Sequence, residues 1–243
     1  MIFNMCGLLG ISATTQIEER DWVVSGCNAL LHRGPDGGGV WWSDDGKVGL
    51  GHRRLSIIDL SPLGHQPMHL PEFGLSVVFN GEIYNCQSLR DELAGMGFFW
   101  RSHSDTEVLL AAYAAWGEDC LAHLNGMFAF ALYDAKRQQV LLVRDRAGEK
   151  PLFYHLSNGV LQFASELKAL LANPANPRNI DPEALDCYLA MGFIPGPCCI
   201  LRGFSKLPPA HALRFDLRRG QSQVWRYWDL PDGPTEKGII DEA

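Results

Sequence analysis

One seven-residue run, Met127-Phe128-Ala129-Phe130-Ala131-Leu132-Tyr133, limits the fold more than any other stretch of the chain. A strand sends successive side chains to opposite faces, and this run offers an apolar side chain to both. Its sheet therefore has to be covered on both sides. A second apolar run, residues 139–143, follows after the polar residues 134–138, and that spacing predicts a hairpin. Residues 75–80, 139–144, 160–164 and 212–216 read as strands too, each bounded by Gly, Asn, Asp or Pro.

Helices are fewer. Ser104-Asp105-Thr106-Glu107 has the form of a capping box, with Ser104 capping the first turn and Glu107 reaching back; a helix through Trp116 follows and Gly117 stops it. Asp181-Pro182-Glu183 supplies an N-cap with proline at the first helical position, starting a helix toward Ala190. Residues 22–31 and 87–96 complete the helical set. Strands and helices do not alternate one for one, which excludes a Rossmann pattern. Two covered sheets with helices outside give a layered α+β architecture. Gly37-Gly38-Gly39 leads into Val40-Trp41-Trp42 rather than a helix, so it reads as a loop without a phosphate-binding role.

The chain has 243 residues, 47% of them apolar and 20% charged, with 21 Lys+Arg against 28 Asp+Glu and a net charge of −7. That is enough apolar side chain for a folded core and the wrong charge for general nucleic-acid or anionic-membrane binding. Residues 187–201 are too short for a membrane span and are broken by Gly192, Pro195, Gly196 and Pro197. No Lys or Arg precedes Arg20, so a secretory signal lacks its basic start, and a cytoplasmic location is expected. The seven cysteines show no C-x-x-C spacing and the histidines no metal-ligand spacing, so no metal is expected.

Polar residues concentrate in a few places. Cys6 alone reads as a small core residue; at a chain terminus it would carry a nucleophile and, in its own α-amine, a base of pKa about 7.7–8.0. Arg54 abuts the largely apolar residues 55–60, and a partly buried Arg wants a carboxylate, from the protein or from a ligand. Asn80-Gly81 is a turn signal, or else an oxyanion hole made of one side-chain amide and one backbone N–H. Glu82 and Asp105 read as loop and helix-start carboxylates; with one Arg they would also suit a zwitterionic amino acid. Arg144-Asp145-Arg146 reads as a fixed ion-pair cluster or turn.

These pieces, in this order, resemble the glutaminase domain of glutamine-hydrolysing asparagine synthetases, a branch of the class II glutamine amidotransferases with an N-terminal nucleophile. The resemblance rests on Met5-Cys6-Gly7, His32-Arg33-Gly34-Pro35-Asp36, Arg54 to Asp59, Asn80-Gly81-Glu82-Ile83-Tyr84-Asn85, Ser104-Asp105-Thr106-Glu107, Gly126 to Ala131, Arg144-Asp145-Arg146, Lys150-Pro151-Leu152 and Ala164 to Leu170. It implies a four-layer αββα sandwich of the N-terminal-nucleophile hydrolase type. It implies Cys6 as nucleophile, Asn80 and Gly81 as oxyanion hole, Arg54 on the glutamine α-carboxylate, and Glu82 and Asp105 at the substrate end with main-chain groups around Ile57 and Ile58. The implied partners are L-glutamine and a synthetase domain or chain that receives ammonia; a homodimer is one state the chain could take.

The chain departs from the family pattern in carrying residues 1–5 before the cysteine, which are expected to be a removed leader or a misassigned start. Residues 6–228 form the amidotransferase domain, and residues 229–243 read as a linker or tail toward an absent synthetase domain. The Ser-Gly-Gly-x-Asp-Ser loop of such a domain does not occur here, so no cofactor is expected in this chain, and ATP and Mg only in that domain. Two rivals stand beside the enzyme: a non-catalytic binding or assembly domain with a blocked cysteine, and an unrelated Cys-His hydrolase, which would need a His against Cys6.

Overall fold

The computed structural model describes residues 5–57 and 59–230. Ile58, most of the expected leader and residues 231–243 of the expected tail lie outside the described residues. The first part of the chain runs β1 (Gly7–Ala13), α1 (Asp21–Ala29), β2 (Gly37–Trp42), β3 (Val48–Arg54), β4 (Met68–Leu70) and β5 (Leu75–Ile83). Then come α2 (Cys86–Gly95), α3 (Asp105–Trp116), α4 (Cys120–His123), β6 (Gly126–Asp134) and β7 (Gln139–Arg144). The last part holds β8 (Phe153–Ser157), β9 (Val160–Ala164), α5 (Leu167–Leu170), α6 (Pro182–Met191), β10 (Phe204–Lys206), β11 (His211–Asp216) and β12 (Gln221–Arg226).

The described strands form two six-stranded sheets, ordered β10-β8-β9-β1-β3-β2 and β12-β11-β7-β6-β5-β4, and every pairing is antiparallel. Leu8, Leu50 and Phe163 of the first sheet meet Val78, Ala131, Leu142 and Phe215 of the second in one core. The outer face of the first sheet, with Leu9 and Ile11, is covered by Val23 and Cys27 of α1 and Leu170 of α5. The outer face of the second, with Val77 and Phe79, is covered by Leu93 of α2 and by Val108, Leu109 and Ala112 of α3. The layers run helix, sheet, sheet, helix: an α+β, four-layer αββα sandwich.

The two-faced apolar run accounts for this stacking. In β6, Ala129, Ala131 and Tyr133 face the other sheet, while Phe128, Phe130 and Leu132 face the helices. The two alanines stand where the sheets approach and Phe128, Phe130 and Leu132 where helices leave room; burying each Phe contributes about 2–3 kcal/mol. Helix α3 is buried throughout residues 105–113, as a helix apolar on all sides must be.

Two local expectations are corrected. Gly37-Gly38-Gly39 is not a loop but the start of β2, opposite Arg54, Arg53 and His52 of β3. A Cβ at residue 39 would lie 2.6 Å from the Gln66 carbonyl oxygen, so glycine is used there to let a crossing segment come close. The capping box is half made. The Ser104 hydroxyl accepts from the Thr106 N–H, but the Glu107 carboxylate reaches beyond Ser104, to the N–H groups of Arg101 and Ser102 at 2.9 and 2.8 Å.

Candidate active site

Cys6 immediately precedes β1, and Arg54 ends β3, the neighbouring strand. Asn80, Gly81 and Glu82 lie near the end of β5, and Asp105 opens α3. β1 and β3 pack on β5 across the sandwich, so these ends converge on a cavity of about 510 Å3. Cys6, Arg54, Ile57, Asn80, Gly81, Glu82 and Asp105 all line it; Ile57 stands at the rim with 73% of its surface exposed.

The Cys6 thiol accepts a hydrogen bond from the Leu55 N–H at 3.3 Å and faces the Leu55 carbonyl at 3.6 Å. Burial pushes the thiol pKa up; the Leu55 N–H and the Arg54 charge oppose this, and the Asp105 charge adds to it. Such a thiol is neutral at pH 7 and needs a base to become a nucleophile. Among the described residues no His lines the cavity, which weighs against a Cys-His pair. Arg33 holds the Cys6 carbonyl through Nε at 3.0 Å and is itself anchored by Glu166 at 2.9 Å. Arg33 and Glu166 stand in separate motifs with no sequence signal of a shared role; only the fold brings residues 133 positions apart into contact.

The free edge of β5 carries the most informative chemistry. Phe79, Gly81 and Ile83 turn their N–H groups away from β6, for Phe128, opposite Gly81, exchanges its backbone bonds with Asp145 instead. The Phe79 N–H donates to Gln66 Oε1 at 2.6 Å and the Ile83 N–H to Asp105 Oδ2 at 3.1 Å. Between them, among the described residues, no side chain accepts from the Gly81 N–H. Beside it the buried Asn80 Nδ2 has no partner at all. A buried donor without an acceptor is costly, and here one, Asn80 Nδ2, stands beside the free-edge Gly81 N–H on a cavity holding a thiol. A Cβ at residue 81 would overlap the Met127 carbonyl oxygen and Phe128, so only glycine allows this strand pairing.

At the other side of the cavity, the Arg54 guanidinium donates to the backbone carbonyls of Ser61, at 3.0 Å, and of Asp59. Among the described residues no carboxylate pairs with it, which leaves its charge for a ligand. The Asp59 carboxylate accepts from the N–H groups of Ser61 and His103, at 2.8 and 3.1 Å, and so fixes the same loop. Asp105 is held at a pKa of about 6, raised chiefly by burial even though the Ile83 and Thr106 N–H groups favour its charge. Arg144-Asp145-Arg146 proves to be a hydrogen-bonded turn rather than an ion-pair cluster. The Asp145 carboxylate accepts from four backbone N–H groups, and the turn sets Glu149 and Lys150 on the cavity wall. Lys150 Nζ lies 2.9 Å from the Met5 sulfur.

Among the described residues no group of three or more His, Cys, Asp or Glu is placed to hold a metal, and no helix is long and apolar enough to cross a membrane.

Residues 5–228 match the family model described as a glutamine amidotransferase domain. The asparagine synthetase [glutamine-hydrolyzing] 3 of Bacillus subtilis is 38% identical over 231 residues, covering 93% of this chain and 37% of that protein. The amidase chry2 of Gibberella zeae is 39% identical over 202 residues, covering 83% of this chain and 29% of that protein. The chain thus spans about a third of these relatives' length. Among solved structures, a glutamine phosphoribosylpyrophosphate amidotransferase from B. subtilis superposes with a TM-score of 0.67 at 20% identity, over 92% of this chain and 49% of that one. That likeness is one of fold.

Proposed function

This chain belongs to the glutamine amidotransferase domain family, and from that premise we propose that it hydrolyses L-glutamine to glutamate and ammonia. The ammonia serves an ATP-dependent amidation in an asparagine-synthetase-type module, on this chain or a partner. Cys6 Sγ attacks the side-chain amide carbon, and the oxyanion forms against Asn80 Nδ2 and the Gly81 N–H. Ammonia leaves, a γ-glutamyl thioester remains, and water releases glutamate. Arg54 takes the substrate carboxylate; Asp105 and Glu82 take its ammonium; main-chain groups near Ile57 and Ile58 close the rim.

The base is the α-amine of Cys6, freed when residues 1–5 are removed. It receives the thiol proton and passes it to the departing ammonia. In the chain as sequenced that nitrogen is a peptide amide, which cannot act this way. ATP and Mg belong to the synthetase module. The acceptor is aspartate or another carboxylate. The same reading places the protein in the cytoplasm with no nucleic-acid or membrane partner, and light scattering tests the homodimer.

The observation that carries this proposal is the pair of open donors, Asn80 Nδ2 and the Gly81 N–H, on the cavity that holds the Cys6 thiol. The alternative is a non-catalytic assembly domain whose cysteine is blocked. Intact mass combined with an ammonia-release assay decides between them. A chain that begins at Cys6 and releases ammonia from glutamine supports the enzyme; a chain that retains the residues before Cys6 and releases none supports the assembly domain.

A further inference from the structure

The free edge of β5 is satisfied rung by rung, by a different group each time. β4 pairs with it only from Leu75 to Val77. At Phe79, where a strand residue would come next, the side chain of Gln66 stands instead. Gln66 Oε1 accepts from the Phe79 N–H at 2.6 Å, and Gln66 Nε2 donates to the Phe79 carbonyl at 3.1 Å. A primary amide offers the donor and acceptor of a peptide group, so this side chain replaces one residue of a missing strand. The next rung, Gly81, is open, and the one after it, Ile83, is closed by Asp105.

Two more contacts tie this rung to the site. Gln66 Nε2 also lies 3.3 Å from Thr106 Oγ1, in the first turn of α3 beside Asp105. His52, buried in β3, donates from Nε2 to the same Phe79 carbonyl at 3.0 Å; burial holds its pKa near 3, so the ring is neutral. The Phe79 peptide is therefore held by three hydrogen bonds from two side chains, one residue before Asn80 and two before Gly81. Gly39 completes the arrangement by leaving room for the Gln66 main chain to cross β2.

We infer that Gln66 is a positioning residue for the oxyanion hole, clamping the Phe79 peptide so that Asn80 Nδ2 and the Gly81 N–H converge on one point. The inference rests on the glutaminase reading of the site. Its physical basis is that an unpaired edge is mobile and that oxyanion donors work only at hydrogen-bond distance from the developing charge. Displacements of about 1 Å cost about 100-fold in rate, and a clamp that restricts smaller ones acts on kcat rather than on substrate affinity.

The test is steady-state glutamine hydrolysis by the active form of the full chain, with Gln66→Met, Gln66→Glu, Asn80→Ala and the Gln66→Met/Asn80→Ala double variant. Gln66→Met should lower kcat about 30-fold and leave KM within about threefold. In the Asn80→Ala background the same change should cost clearly less, about tenfold or below, because only the Gly81 N–H is left for the clamp to place. Gln66→Glu can accept from the Phe79 N–H but donates to the Phe79 carbonyl only when protonated. Its kcat relative to wild type should therefore rise as pH falls, and this readout survives if Gln66→Met fails to fold. Wild-type kcat in Gln66→Met, equal losses with and without Asn80, a rise in KM alone, or a flat Gln66→Glu ratio would each overturn the inference. A wild-type chain beginning at Cys6 that releases no ammonia would overturn the glutaminase reading beneath it.

Discussion

Two polar stretches flank β6. On one side Asn80, Gly81 and Glu82 oppose Ala129, Phe128 and Met127; on the other Arg144 opposes Ala129 and the Asp145 turn follows. In the turn every major bond closes inward. The Asp145 carboxylate accepts from the N–H groups of Phe128, Ala147, Glu149 and Lys150, and Arg144 donates to the carbonyls of Gly148, Lys150 and Leu207. In the β5 segment the bonds stop short, and Asn80 Nδ2 has no partner. Both stretches look alike as sequence, polar residues set among buried strands. The difference is that one uses its hydrogen-bonding capacity to hold the scaffold and the other leaves a donor unused, which the proposed function assigns to the substrate.

Exchanging the two roles by mutation is the strongest way to break this comparison. Asn80→Ala should lower kcat for glutamine hydrolysis by about 100–1000-fold, the scale of one lost oxyanion donor. Its unfolding midpoint should hardly change, since Nδ2 bonds to nothing in the folded protein. Asp145→Ala should do the reverse. It strands the N–H groups of the buried Phe128 and Lys150, each worth about 1–3 kcal/mol, so denaturant unfolding should show a loss of about 3 kcal/mol. If Asn80→Ala proved the destabilised variant and Asp145→Ala the stable, inactive one, scaffold and site would have to trade places.

A smaller effect sharpens the picture at the substrate end. Asp105 has a folded-state pKa of about 6 against an ordinary 3.8. The folded protein binds this proton more tightly than the unfolded chain, so stability is highest below about pH 4 and falls as pH rises toward 6. Above that it levels off, about 2–3 kcal/mol lower. Asp105→Asn should remove that slope. In catalysis the sign is opposite: KM for glutamine should rise as pH drops through about 6, because the protonated carboxyl no longer attracts the substrate ammonium. Asp105→Asn should raise KM about tenfold at pH 7 and abolish this pH dependence. A wild-type KM that stays level from pH 5 to 8 would remove Asp105 from ammonium binding.

Much of this was legible in the residues themselves. The β6–β7 hairpin, α3 with its Ser104 cap and Gly117 stop, and α6 with Asp181 and Pro182 follow from local pattern, and the structure keeps them within one to three residues. The convergence of Cys6, Arg54, Asn80, Gly81 and Asp105 was legible only through the resemblance. Their contacts are long in sequence, and no periodicity encodes them. β12 escaped because it is a mostly exposed edge strand that opens on Gln-Ser-Gln and packs only Trp225 against the core. β3 escaped because Gly49, Gly51, His52 and Arg53 mask a buried strand as a polar motif. Gln66 and Arg33 could not be singled out, since their partners, Phe79 and the Cys6 carbonyl, lie 13 and 27 positions away. Glu107 misled because the true acceptor geometry reaches past the cap to residues 101 and 102.

The central claim is that a thiol at Cys6 is acylated by glutamine against the open donors of β5. Rapid-quench mass spectrometry of the active chain mixed with glutamine tests it most directly. A γ-glutamyl thioester should form within the turnover time and map to the peptide bearing Cys6. It should build up more slowly in Asn80→Ala and be absent, together with ammonia release, in Cys6→Ala. Ammonia release that persists in Cys6→Ala, or an adduct that maps to another of the seven cysteines, would contradict the account.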